Sequence, residues 1–257
     1  MAEVQAELLE NGALLRLVID RPKGNVLTGD VMVALRGELE RHAGERPLKL
    51  VVIRGAGGHF SFGASVEEHR PEAAPAMLET FHGLVRTVAA YPVPVTALVD
   101  GRCLGGAFEL ALAAHFVFAA PGAQFGCPEI KLGVFPPVLA ALGHLRLGGP
   151  LAERLLLTGA PLDAAAARQA GFVADLFEGD PWEAMLSWFR CQIAPLSAQA
   201  LRTATRAVRD SNGTLAALAA PLTALERRYV SEVLGSRDGV EGIEAFLGRR
   251  PPRWENA

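Results

Sequence analysis

The fold is organised around Asp100-Gly-Arg-Cys-Leu-Gly-Gly-Ala-Phe-Glu109, a stretch that joins a strand to a helix through two glycines. The apolar run Val93 to Val99 before it is typical of a strand, and the Ala/Leu-rich run Leu110 to Ala114 continues a helix. A helix start leaves backbone N–H groups without partners, and a glycine lets a ligand atom approach them. Glu109 follows Gly106 by about one turn and shares its face. The pattern predicts either an anion site beside a carboxylate or a buried turn with a capping glutamate.

The residues before this stretch predict a hairpin followed by a strand, a helix and a strand. Val4 to Leu8 and Leu14 to Ile19 are short alternating segments on either side of Asn11-Gly12, which favours a hairpin turn. Apolar residues then recur at helical spacing over Gly29 to Ala43, and Leu48 to Ile53 is a continuous apolar run. This order predicts a βαβ unit with a right-handed crossover.

The second half of the chain is predicted to be mainly helical. A helix over Pro71 to Tyr91 and the strand that follows it repeat the earlier pattern, and His115 to Ala119 predicts a further strand. After about residue 138, helical segments predominate and one more strand is expected. That strand is Phe172 to Phe177, and the last helices are Ser197 to Asp210, Thr214 to Leu234 and Gly239 to Leu247. We therefore predict an α/β core with a helical C-terminal part.

Composition excludes several classes of function. The chain has 257 residues and a formal net charge of −3, with both signs scattered, so it has no basic footprint for nucleic acid or an anionic membrane. No apolar run is long enough to span a bilayer, and the acidic start differs from a targeting peptide, so we expect a soluble, cytoplasmic protein. The three cysteines are far apart and form no Cys-x-x-Cys pair, which argues against disulfides and a thiolate metal site; they are Cys103, Cys127 and Cys191.

The remaining motifs point to carboxylate chemistry. Gly55-Ala-Gly-Gly58 lacks the third glycine of a dinucleotide fingerprint, the histidines lack metal-ligand spacing, and no Gly-x-Ser-x-Gly elbow presents a nucleophile. Glu129 lies in a Pro-Glu-Ile turn between Gly126 and Gly133, and Glu109 borders an apolar helix face. Two carboxylates in one apolar pocket have their pKa values driven apart, which suits the addition or removal of water. A single glutamate is more often a surface or capping residue, and it is the two together, each beside a glycine turn, that favour a catalytic role.

Four motifs in the right order resemble the crotonase, or enoyl-CoA hydratase/isomerase, superfamily over almost the whole chain. They are Gly101-Arg-Cys-Leu-Gly-Gly-Ala-Phe-Glu109, Phe60-Ser-Phe-Gly-Ala-Ser65, Phe125-Gly-Cys-Pro-Glu-Ile130 and Asp238-Gly-Val-Glu-Gly-Ile-Glu-Ala-Phe-Leu247. The resemblance implies a core of ββα units in a spiral over residues 1–195 and a helical trimerisation region over 196–257. It also implies an acyl-CoA thioester substrate, coenzyme A as part of that substrate with no separate cofactor or metal, and a homotrimer or a hexamer made of two trimers.

The resemblance also assigns roles to residues. The oxyanion hole would be formed by the backbone N–H groups of Ala64 and Gly106, and the catalytic pair would be Glu109 and Glu129. Because both glutamates are present, hydration fits better than isomerisation. The predicted contacts to the CoA moiety are Lys23, Gly24, Phe62, Ser65 and Val66.

Within the family, three stretches resemble members that hydrate cyclic dienoyl-CoA thioesters in anaerobic aromatic degradation. They are Ser61 to His69, the pair Phe81-His82 and Pro128 to Pro136. A linear enoyl-CoA hydratase and a non-catalytic binding protein of the same fold are the alternatives.

Three positions depart from the family pattern, namely Ala107, Ser65 and Pro137, and the proline removes an N–H donor at a helix start. Four phenylalanines either line a ring-shaped acyl pocket or belong to the core; they are Phe62, Phe81, Phe108 and Phe135.

Overall fold

The computed structural model describes residues 3–257 and shows two β-sheets surrounded by helices. The strands are β1 (Val4–Leu9), β2 (Leu14–Ile19), β3 (Leu50–Gly55), β4 (Val95–Val99), β5 (Arg102–Leu104), β6 (Phe116–Ala119), β7 (Gln124–Gly126), β8 (Leu162–Asp163) and β9 (Asp175–Leu176). The helices are α1 (Gly29–His42), α2 (Ala74–Ala89), α3 (Gly106–Ala113), α4 (Pro137–Leu147), α5 (Gly149–Thr158), α6 (Ala164–Gln169), α7 (Pro181–Trp188), α8 (Ala198–Ser211), α9 (Thr214–Ala217), α10 (Ala220–Arg228) and α11 (Arg237–Leu247). No helix within residues 3–257 combines the length and the apolar character needed to cross a membrane.

The larger sheet has the strand order β1-β2-β3-β4-β6-β9. β1 and β2 form an antiparallel hairpin in which Val4 lies opposite Ile19, and the other neighbours are parallel. Asn11 takes a left-handed backbone conformation in the turn, which asparagine tolerates. The predicted hairpin and the first βαβ unit are therefore confirmed.

The central strands of the larger sheet are buried on both faces, as is typical of parallel strands. One face contributes alternate residues of β2, β3, β4 and β6 to the main core, which includes residues of α1, α2 and α3. The opposite face packs against α7 and the turn after it, where Phe118 stacks on Phe177 with 4.7 Å between ring centroids. Helices cover both faces of the sheet. The loops at the ends of the strands therefore lie at the edge of the core, and these loops carry the polar residues.

The smaller sheet, β5-β7-β8, was not predicted from the sequence. Its strands have only two or three residues, too few to show an alternating pattern. β5 and β7 run parallel, with Leu104 opposite Gly126, and an isolated bridge joins Ser61 to Cys103. This small sheet therefore aligns three separate loops of the chain.

Two boundaries were predicted wrongly. Thr214 to Leu234 is not one helix, because the chain breaks at Ala219. The next helix begins at Ala220, and Pro221, which has no backbone N–H, lies in its first turn. Within Phe172 to Phe177 only Asp175–Leu176 pairs as a strand.

The α/β class with a helical C-terminal part is confirmed, and the boundary at residue 195/196 remains a prediction. The C-terminal helices pack on the core, since a Cβ built at Gly242 of α11 would lie 2.1 Å from the Leu132 carbonyl oxygen.

Candidate active site

The two predicted catalytic glutamates follow neighbouring parallel strands. Glu109 lies in the first turn of α3, directly after β5, and Glu129 lies in the short 3₁₀ turn Pro128–Leu132 after β7. The Gly105 N–H donates to the Gly126 carbonyl at 2.8 Å and extends the pairing of the two strands by one residue. The carboxyl ends of parallel strands meet at one edge, which is why glutamates twenty positions apart share a cavity.

Gly105 has to be glycine for two reasons. Its backbone lies at φ 53° and ψ −131°, a region that side chains with a Cβ rarely enter. A Cβ at this position would lie 2.6 Å from Oε1 of Glu129. The turn therefore places the Glu129 carboxylate directly against the backbone that begins α3.

The backbone amides of Ala64 and Gly106, to which the family resemblance assigns an oxyanion hole, line the same cavity as the carboxylates. On either side of Ala64, the Gly63 carbonyl accepts from Leu27 N–H at 2.9 Å and the Ser65 N–H donates to the Leu27 carbonyl at 3.2 Å. Among residues 3–257, neither Ala64 N–H nor Gly106 N–H has a hydrogen-bond acceptor. A Cβ built at Gly106 would lie 3.5 Å from the Ala64 nitrogen, so the two unpartnered amides lie side by side.

Glu109 is buried and is bound to the start of α4. Its Oε1 accepts from Val138 N–H at 2.6 Å and from Leu139 N–H at 3.0 Å. Burial raises the pKa of Glu109, and the two N–H donors oppose that rise by stabilising the carboxylate. Pro137 begins α4 and offers no N–H, so the donors to Glu109 are the two residues after it.

Glu129 has a more apolar environment. Its Oε2 is buried and has no hydrogen-bond partner among residues 3–257. Burial raises the pKa of Glu129, and the nearby negative charge of Glu109 raises it further. The hydrogen bonds that Glu129 receives from its own backbone N–H and from the Cys127 thiol oppose this rise. The structure favours an ionised Glu109 beside a protonated Glu129, because the Glu109 carboxylate accepts two N–H bonds from the start of α4 and its negative charge adds to the effect of burial on Glu129.

The carboxylates and amides open into a cavity of about 520 Å³ with mainly apolar walls. Three of the four phenylalanines singled out in the sequence line it, namely Phe62, Phe81 and Phe135. Phe108 belongs to the core instead, where its ring packs 5.7 Å from Phe125 and 5.3 Å from Phe172. Within residues 3–257 no cluster of three His, Cys, Asp or Glu side chains is arranged to hold a metal ion.

Only two of the five residues predicted to bind CoA line the cavity. Phe62 and Val66 line the cavity, and Phe62 is 46% exposed at its mouth. Gly24 packs beneath the Phe62 ring, since a Cβ there would lie 2.6 Å from a ring carbon. The exposed Lys23 precedes it without lining the cavity, and the Ser65 hydroxyl donates to Glu67 at 3.1 Å. The role of these residues in CoA binding remains a prediction.

The C-terminal region supplies cavity residues that sequence reasoning missed. Tyr229, from the turn after α10, and Phe246 and Arg250, from the end of α11 and the tail, line the same cavity. Lys131 adds a positive charge at the wall. No local motif marks these residues, and only the packing of the last helices against the turn at Glu129 brings them to the site.

Comparison with known proteins agrees with this architecture. A profile of the family described as Enoyl-CoA hydratase/isomerase matches residues 10–257. The chain is 43% identical to cyclohexa-1,5-dienecarbonyl-CoA hydratase of Thauera aromatica, over 97% of this chain and 95% of that protein. It is 34% identical to 2,3-dehydroadipyl-CoA hydratase of Escherichia coli K12, over 93% and 94% of the two chains.

Solved structures show the same fold. An enoyl-CoA hydratase from Mycobacterium avium subsp. paratuberculosis superposes with a TM-score of 0.85, at 30% identity and with 99% of each chain covered. The sequence motifs, the fold and the family profile agree over almost the entire length. The chain therefore belongs to the enoyl-CoA hydratase/isomerase family of enzymes.

Proposed function

We propose that this protein is a hydratase that adds water to a conjugated cyclic dienoyl-CoA thioester. The observation that carries the proposal is the meeting of Glu109 and Glu129 with two unpartnered amides in one apolar cavity. The substrate we propose is cyclohexa-1,5-diene-1-carbonyl-CoA and the product is 6-hydroxycyclohex-1-ene-1-carbonyl-CoA, a step of anaerobic aromatic degradation. The relative in Thauera aromatica, which carries this activity in its name, and the aromatic cavity wall support the cyclic acyl group.

In the proposed mechanism the thioester carbonyl oxygen binds the N–H groups of Ala64 and Gly106. Water attacks the ring carbon β to the carbonyl, and the electron pair of the double bond moves onto the carbonyl oxygen as an enolate. Two amides aimed at that oxygen stabilise the enolate, and the loss of one such donor costs about 3 kcal/mol. The site therefore stabilises the charge where it develops.

The two glutamates would divide the proton transfers. The ionised Glu109 takes a proton from the attacking water, and the protonated Glu129 returns a proton to carbon. To leave the ring double bond of the named product, that proton must enter at the ring carbon opposite the new hydroxyl. The base and the acid must then be two separate groups, which agrees with glutamates provided by two different elements.

A mass-spectrometric assay tests the proposal. We expect the purified protein to add one water to cyclohexa-1,5-diene-1-carbonyl-CoA, and in D₂O to place one deuterium on the ring carbon opposite the hydroxyl. Glu109→Gln and Glu129→Gln should each lower kcat by about 10²- to 10⁴-fold. Turnover of crotonyl-CoA alone would refute the cyclic substrate and favour a linear enoyl-CoA. A linear enoyl-CoA hydratase is the second candidate, and the Escherichia coli relative supports it. Full activity of both variants would instead rule out the carboxylate mechanism, whereas an unmodified protein that turned over neither thioester would favour a non-catalytic binding protein of the same fold.

We also propose that the chain assembles through its C-terminal helices as a homotrimer or as two stacked trimers. Large apolar side chains outside the active-site cavity are exposed on this region, including Val208 at 53% and Val230 at 38%. Exposed apolar side chains of this kind gain stability when a second chain covers them. Sedimentation should give a trimer or hexamer at micromolar concentration, and a stable monomer would refute the assembly.

A further inference from the structure

The chain contains two tyrosines, both buried, and their hydroxyl groups differ in hydrogen bonding. The Tyr91 hydroxyl donates to the Leu39 carbonyl at 2.9 Å. The Tyr229 hydroxyl is fully enclosed and has no hydrogen-bond partner within residues 3–257. A buried hydroxyl without a partner is unfavourable for the folded protein, so its presence calls for a ligand atom that would satisfy it.

Tyr229 lies on the wall of the cavity that holds both glutamates. It begins a wide helical turn after α10, in which Leu234 N–H donates to the Tyr229 carbonyl at 3.0 Å. The ring lies 5.6 Å from that of Phe135 and 6.5 Å from that of His69, measured between centroids. The His69 ring is held by a hydrogen bond between its Nδ1 and the Ser65 carbonyl. These neighbours hold the Tyr229 ring in place while its hydroxyl remains unpaired.

The state of the phenol suits a donor rather than a base. Burial and the negative charges of Glu129 and Glu109 all raise the pKa of Tyr229. The raised pKa favours the protonated hydroxyl, which is the form that can donate a hydrogen bond. Tyr229, Glu109 and Glu129 line the same cavity, so a water bound between the carboxylates and the acyl group lies in the space that the Tyr229 ring borders.

We propose that the Tyr229 hydroxyl donates a hydrogen bond to the oxygen atom that adds to the acyl group, first in water and then in the product hydroxyl. The inference rests on the proposed hydration. An attacking water gives its proton to Glu109 and needs a donor for the lone pair that does not attack carbon. The Ala64 and Gly106 amides are engaged by the carbonyl oxygen, and the Glu129 proton goes to carbon. Tyr229 offers a buried hydroxyl on the cavity wall that has no partner within residues 3–257, and we assign this hydroxyl as the donor. Its own O–H bond stays intact throughout the reaction.

Tyr229→Phe tests the proposal, with Tyr91→Phe as the matched control. Both changes remove one buried hydroxyl and keep the ring. Tyr229→Phe should lower kcat for hydration by about 10- to 100-fold and leave the melting temperature equal or higher, because it removes an unsatisfied polar atom. Tyr91→Phe should lower the melting temperature and leave kcat unchanged. A drop in melting temperature for Tyr229→Phe together with unchanged kcat would overturn the proposal, since the hydroxyl would then have a structural partner.

A binding experiment separates this inference from the proposed function. In an inactive Glu109→Gln, Glu129→Gln background, we compare calorimetric affinities for 6-hydroxycyclohex-1-ene-1-carbonyl-CoA and cyclohex-1-ene-1-carbonyl-CoA. The Tyr229 hydroxyl should favour the hydroxylated thioester by about 10-fold, and Tyr229→Phe should abolish the preference. Equal affinities in both backgrounds would refute the role of Tyr229 and leave the proposed function standing. Failure to bind either thioester, with no turnover by the unmodified enzyme, would refute both.

Discussion

Replacement of Gly105 by alanine tests how the turn positions Glu129. The new Cβ would lie 2.6 Å from Oε1 of Glu129 and 3.6 Å from its Cδ, and Cβ atoms essentially never approach other atoms to below 3.0 Å. The carboxylate must therefore move by several tenths of an ångström or more. The backbone at φ 53° and ψ −131° adds a strain of about 1–3 kcal/mol for a residue with a Cβ.

We expect Gly105→Ala to lower kcat by about 10²-fold, because a displacement of about 1 Å of a reacting group has that effect. Gly179→Ala is the control, since Gly179 also has a positive φ but a Cβ there meets nothing within 4 Å. It should lose about 1–2 kcal/mol of unfolding free energy and keep the unmodified kcat. Steady-state kinetics and thermal unfolding of both variants measure the two effects. If Gly105→Ala kept its full kcat, the position of Glu129 against this turn would be irrelevant to the reaction.

Two further predictions concern stability. Because burial raises the pKa of Glu129 above the ordinary value of 4.5, its contribution to stability is complete below about pH 4.5 and is lost as the pH rises through the raised pKa of the folded state. Glu129→Gln should therefore raise the melting temperature more at about pH 8.5 than at about pH 5, and an equal shift at both pH values would contradict the raised pKa. Arg209 donates to the Ala113 carbonyl at the end of α3 and to Thr214, so Arg209→Met should lower the free energy of unfolding in urea by about 2–3 kcal/mol. The exposed Arg206 on the same helix is the control, with an expected change within about 0.5 kcal/mol, and similar losses for both variants would rule out this anchoring of α3.

Periodicity in the sequence was sufficient for the long elements. The hairpin follows from its alternating segments and turn residues, and α1 and α2 follow from the helical spacing of the residues they bury. The central strands follow from continuous apolar runs, because they are buried on both faces. Breaks between consecutive helices were harder to predict from the sequence. The break at Ala219 is an example, because a helical pattern continues on both sides of it. The short strands of the smaller sheet could not be predicted, because two or three residues carry no period.

The candidate site was also only partly predictable from the sequence. The motifs around Gly106 and Glu129 predicted two amides and two carboxylates for the site, and they indicated the family to which the chain belongs. They did not show that Phe108 packs in the core, or that Glu109 is held by the N–H groups at the start of α4. Tyr229 carries no signal in the sequence at all.

The sequence by itself determined the fold class, the family and the two glutamates, because local apolar spacing and short motifs are read along the chain. Only the tertiary structure decided what surrounds the stretch from Asp100 to Glu109. The parallel pairing of β5 with β7 brings Glu129 against Gly105, and the C-terminal helices close the cavity with Tyr229. The physical reason is that hydrogen-bond partners, burial and pKa shifts depend on residues far apart in sequence, and these meet only when the chain has folded.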